Sequence, residues 1–153
     1  METLHNQLIL AMKNYQSIVS RLKPGDRVVV PKSSIRWVQH HAIYLVWNNG
    51  HHWFIENKEG VGVRTITAEQ FFKGVLEVTH VVRFRPRWNY SREDLVRFAL
   101  SKRGRKYDLL AYNCESFANE VQHRKVESQQ AKTGVTLGLT TLTLLLLIPL
   151  SKR

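Results

Sequence analysis

Hydrophobic and polar positions divide this chain into an amphipathic helix, a run of strands, two further helices and an apolar tail. Leu4, Leu8, Met12, Tyr15, Val19 and Leu22 recur at spacings of three and four, which predicts one apolar face of a helix over residues 4 to 22. Pro24-Gly25-Asp26 breaks that helix as a turn, and Arg27 to Val30 follows as a β-branched strand ended by Pro31. From Val38 to Trp47 a strand period of two sends His40, Ala42, Tyr44 and Val46 to one face. His41, Ile43, Leu45 and Trp47 go to the other. Asn48-Asn49-Gly50 is a strong hairpin signal, and the return strand runs from His51 to Ile55. Val61 to Ile66 and Val75 to Phe84 predict two more strands, separated by a short helix capped by Thr67. Ser91, with Asp94 three residues on, predicts a capped helix from Arg92 to near Gly104. Asn113 is a good N-cap for a second helix, through Phe117, Ala118 and Val121 to about Lys125.

The C-terminal stretch changes the picture. Residues 127–132 are polar and predict a linker. From Thr133 to Ser151 there are 19 uncharged residues, bounded by Lys132 and by Lys152-Arg153. As a helix they would span about 28 Å, close to the hydrocarbon thickness of a bilayer. The expectation is a transmembrane helix over 133–151, a tail anchor on an intracellular membrane with the rest of the chain cytoplasmic. The predicted division is thus an N-terminal helix (1–22), a central domain (23–126), a linker (127–132) and a membrane anchor (133–151).

Composition adds two constraints. The formal net charge is +11 over 153 residues, which calls for an acidic partner surface. Nine basic residues between Arg83 and Lys106 stand against Glu93 and Asp94, a local net charge of +7. A solvated face is the usual explanation for such a run; the functional alternative is anionic lipid rather than nucleic acid, because few aromatics interleave with the charges. The single cysteine excludes an internal disulfide framework. No phosphate-cradling glycine loop and no CxxC or HExxH zinc motif is present.

That cysteine, Cys114, is predicted in the first turn of a helix, near unpaired N–H groups and the positive end of the dipole. Such a setting favours the thiolate, the nucleophilic form, and offers donors to an oxyanion. A cysteine nucleophile also needs a base and a group to orient it. Two adjacent histidine pairs, His40-His41 and His51-His52, lie upstream.

Leu22-Lys23-Pro24-Gly25-Asp26, His40-His41-Ala42-Ile43-Tyr44-Leu45 and Asn113-Cys114-Glu115-Ser116-Phe117, followed by the apolar tail, resemble the lecithin–retinol acyltransferase-like family, in particular its H-Ras-like-suppressor phospholipase A/acyltransferase branch. The resemblance implies an α+β fold of the permuted, NlpC-type papain-like class, with an antiparallel sheet and packed helices, completed here by the C-terminal transmembrane helix. It also implies thiol-dependent phospholipase A1/A2 and acyltransferase chemistry on glycerophospholipids, with no cofactor and no metal. Cys114 would be the nucleophile and His40 the base. His41 stands where tryptophan is common in the family, and Ser116 where histidine is. An ungapped match places the second catalytic histidine at His52; the longer turn leaves His51, or the position of Phe54, as alternatives. A papain-like peptidase or amidase, a membrane-anchored interaction module, and a zinc site of Cys114, His40 and His52 are the competing readings.

Overall fold

The structure is a computed structural model that describes residues 15–32 and 38–137. Five strands form one antiparallel sheet: β1 (Arg27–Pro31), β2 (Gln39–Asn48), β3 (His51–Lys58), β4 (Gly62–Thr67) and β5 (His80–Val82), in the order β4-β3-β2-β1-β5. The helical segments are α1 (residues 15–19), α2 (Ala68–Phe71), α3 (Arg92–Ser101), α4 (Cys114–His123) and α5 (residues 129–137). The α+β class with an antiparallel sheet and packed helices is as expected.

Both faces of the sheet are covered, which is why Ala42-Ile43-Tyr44-Leu45 is apolar throughout rather than alternating with polar residues. Ile43, Leu45, Ile55 and Val63 pack under α3 and α4 with Leu95, Phe117, Ala118 and Val121. On the other face Val28, Val30, Ala42, Phe54 and Ile66 meet Phe71 and Phe72 of the α2 region and Val19 and Leu22 of the N-terminal segment. The N-terminal segment is therefore part of the same core where it is described: Val19 is buried, and Tyr15 stacks on Phe72 at 4.9 Å. The part of the predicted helix before residue 15 lies outside the described residues.

Local signals set most element ends. Asn49 and Gly50 both have positive φ, the geometry of a tight hairpin that matches strand twist. Thr67 and Ser91 each form a reciprocal capping box, with Gln70 and Asp94. The strand predicted over Val75 to Phe84 shrinks to His80–Val82, because only there does the chain pair with β1. Asp26 is 1% exposed and accepts from the Phe84 N–H at 3.0 Å and from Arg83 at 2.6 Å, with Arg92 at 3.4 Å. Lys102 and Arg105 pair with Glu120 at 2.6 and 3.4 Å. With Arg97 on Asp94 at 2.6 Å, five of the nine cations between Arg83 and Lys106 thus have carboxylates of this chain as partners.

Two expectations are corrected at the C-terminal end. Residues 127–132 are not a free linker. The Ser128 hydroxyl accepts from Ala131 N–H at the start of α5 and donates to Glu115 at 2.6 Å, and the Gln130 N–H donates to the same carboxylate at 3.0 Å. The fold class with a transmembrane helix is also corrected: among the described residues no helix is long and apolar enough to cross a membrane. The helix that enters the predicted span begins four residues before it, in the polar stretch. Its described part, residues 129–137, measures only about 13 Å. Residues 138–151 of the predicted anchor lie outside the described residues.

One glycine is held by a close approach. Gly62 has φ +92°, and a Cβ there would meet the Arg105 carbonyl oxygen at 2.5 Å. Val63 N–H donates to that same oxygen at 2.9 Å, so the 104–105 loop is fastened to β4 at this point. Gly62→Ala therefore combines a left-handed backbone with a clash against main chain. Its unfolding free energy should fall by about 2 kcal/mol or more, read from the urea midpoint at unchanged slope. A midpoint within error of the parent would show that the loop yields freely.

Candidate active site

Cys114 opens α4. The Asn113 side chain accepts from the Glu115 and Ser116 N–H groups, both at 3.0 Å, which is the N-cap read from the sequence. This cap uses two of the donors expected to hold an oxyanion. The Cys114 N–H remains, with no acceptor among the described residues. Asn113 also donates to the Leu109 carbonyl at 3.1 Å and to Ser128 at 3.0 Å, so the turn before the helix and the segment after it are tied to one side chain. Asn57 on β3, fully buried, donates to the Tyr112 carbonyl at 2.7 Å and fixes the approach to the cysteine.

Helix α4 lies on the Ile43 face of the sheet, and its first residue reaches the start of β2. The Cys114 thiol, 5% exposed as a residue, donates to the Gln39 carbonyl at 3.5 Å. His40 is the next residue. Its ring stands close enough to Cys114 for the thiol to raise its pKa, and through Nε2 it hydrogen-bonds to Glu56 Oε2 at 2.6 Å. With Nε2 committed to Glu56, Nδ1 is the nitrogen left for the thiol. Burial alone would pull the His40 imidazolium down. The hydrogen bonds and charges of Cys114 and Glu56 outweigh it and push the pKa up to about 9.

Glu56 is 3% exposed and is held in turn by Arg64, whose Nε and Nη2 lie 2.9 and 2.8 Å from Oε1. Burial raises the Glu56 carboxyl, but His40 and Arg64 together keep it below the ordinary carboxylate range. The result is a continuous line from Arg64 through Glu56 and His40 to Cys114: a nucleophile, a base and an orienting carboxylate fixed by a bidentate guanidinium.

The structure therefore joins Cys114 and His40 as expected and separates His52 from them. His52 pairs across the hairpin with Trp47, next to the turn, and its Nδ1 lies 2.9 Å from the Tyr44 hydroxyl. His51 lies across the turn from Asn48 and faces Glu69 at 3.6 Å; it too is outside the site. Phe54 is buried among Phe71, Phe72 and Tyr44. The orienting role falls to Glu56, which the sequence reading passed over because it ended the return strand at Ile55. Hairpin register carries the missing signal. Starting from the Asn49-Gly50 turn, Trp47 faces His52 and Ala42 faces Glu56, so the residue serving His40 has to lie near the far end of β3.

His41 is a structural residue. It is 4% exposed and accepts from Arg27 Nε at 2.8 Å; burial first, then the Arg27 charge, pull its pKa down to about 2. The family resemblance made it look exchangeable for tryptophan, but the ring is buried and tryptophan offers no acceptor for Arg27. Among the described residues no group of three or more His, Cys, Asp or Glu is arranged to hold a metal ion.

Cys114, His40 and Glu56 border an open cleft of about 460 Å³. Val30, Ile66, Phe71 and Val75 supply apolar lining, and Tyr107 lines the same cleft. No protein-family model matches the chain, and no characterised protein matches it in sequence.

Proposed function

We propose that the chain is a thiol-dependent acyl hydrolase and acyltransferase that acts on glycerophospholipids through an acyl-enzyme at Cys114. The observation that carries this reading is the Cys114–His40–Glu56 line at the edge of an open, partly apolar cleft. The lipid half of the reading is supported by the motif resemblance and by the apolar lining of the cleft, which suits the carbons next to an ester carbonyl.

The chemistry follows from the geometry. The Cys114 sulfur, its proton already held by the His40 ring at neutral pH, attacks the ester carbonyl carbon. The Cys114 N–H supports the oxyanion as the tetrahedral intermediate forms. Collapse breaks the carbon–oxygen ester bond, and His40 gives its proton to the leaving lysolipid oxygen. In the second half, His40 takes a proton from water, and the resulting hydroxide attacks the thioester. Carboxylic acid leaves, and the free Cys114 sulfur beside the protonated His40 is restored. An amine or hydroxyl in place of water gives the amide or a new ester by the same steps. Glu56 stabilises the imidazolium throughout and Arg64 holds Glu56 in place.

Intact-protein mass spectrometry after incubation with phosphatidylcholine tests the reading. One acyl group should appear on the chain, map to Cys114 and disappear as free fatty acid accumulates. Absence of an adduct and of fatty acid, with cleavage of a peptide substrate instead, would transfer the site to the peptidase reading.

A further inference from the structure

The cleft beside Cys114 is more basic than the reaction requires. Six charged side chains line it besides His40: Lys32, Lys58, Arg64 and Lys73 against Glu56 and Glu59. Arg64 is committed to Glu56, and Lys32 to Glu59. That leaves Lys58 and Lys73, both exposed and neither with an ion-pair partner among the described residues. Their placement follows from the fold. Lys58 ends β3 two residues after Glu56, so the strand period puts it on the same face as the carboxylate that orients His40. Lys73 follows the buried Phe71-Phe72 pair, whose first ring forms part of the apolar lining. The cleft that offers Val30, Ile66 and Phe71 to an acyl chain is thus also lined by two uncompensated ammonium groups.

We infer that Lys58 and Lys73 form an anion subsite that makes the enzyme selective for acyl donors whose phosphate-bearing head group has a net negative charge. The inference rests on the lipid reading above and specifies it. A phosphodiester offset by its own choline cation gains little from two ammonium groups. The same phosphodiester bearing uncharged glycerol keeps its full charge for them.

The experiment uses the full chain with dihexanoyl phosphatidylglycerol and dihexanoyl phosphatidylcholine, both kept monomeric so that no charged surface recruits the protein. Exposed ion pairs of this kind support a preference of about fivefold in kcat/KM for the glycerol lipid. The preference should shrink as salt is raised from low ionic strength to about 0.5 M. In Lys58→Gln/Lys73→Gln it should fall to about one, through loss on the glycerol lipid alone, while hydrolysis of an uncharged nitrophenyl ester stays at the parent rate. Equal rates of the parent on both phospholipids would overturn the subsite and leave the lipase reading standing. So would a double variant that keeps the preference. Hydrolysis of neither phospholipid, with the nitrophenyl ester still cleaved, would overturn both.

Discussion

Cys114→Ser should lose at least about a thousandfold in ester turnover and form no acyl adduct detectable by mass, with the fold unchanged. The hydroxyl is far less acidic than the thiol, so the nucleophilic form is scarce even with His40 in place. The exchange is nearly isosteric at a position only 5% exposed, and the Asn113 cap does not involve the sulfur. The urea midpoint should therefore stay close to that of the parent, which separates a chemical loss from a folding loss. His40→Ala should be almost as damaging, because His40 is the group that stands between Glu56 and the thiol to carry the proton. Turnover of Cys114→Ser near the parent rate would remove the cysteine from the mechanism.

Glu56→Gln and His52→Ala should part company. The amide cannot stabilise the imidazolium, so Glu56→Gln should slow acylation by about a hundredfold or more. His52→Ala should keep the parent rate, since His52 sits by the hairpin turn against Tyr44 and Trp47. The pH profile gives a second readout. His40 is raised from 6.5 to about 9, so the protonated ring that serves the leaving group persists at neutral pH and is lost as pH rises through about 9. Activity should fall along that limb. In Glu56→Gln one of the interactions holding the proton is gone, and the limb should move to lower pH, towards the ordinary histidine value. An unmoved limb with a strongly reduced rate would make Glu56 a packing residue only.

The residues explain why half of this site was readable beforehand. Asn113 followed by an apolar-periodic run is a local signal, and it placed Cys114 at a helix start without any tertiary knowledge. Strand alternation separated His40 from His41, which the structure sends to opposite faces. Glu56 depends on something less local, the pairing of two strands across a turn. That pairing is shifted by a bulge between Tyr44 and Val46, and a motif match without gaps steps over both features and stops at His52. Arg64 is more remote still, since it acts from β4 on a carboxylate of β3. The polar composition of residues 127–132 misled in the opposite direction. Ser128 and Gln130 are polar because they bond to Glu115 and to Gln39, not because they are solvated.

Gln130 also sets a bearing. Its side chain accepts from the Gln39 N–H at 2.9 Å, and its Nε2 lies 3.2 Å from the His41 ring. It therefore grips the residues on either side of His40. The chain leaving the domain through α5 does so from a fitting bolted to the catalytic strand, with no slack between the two. A load on that exit is delivered to β2 before it reaches any other strand. Among the described residues, α5 cannot swivel on the sheet without first releasing Gln130.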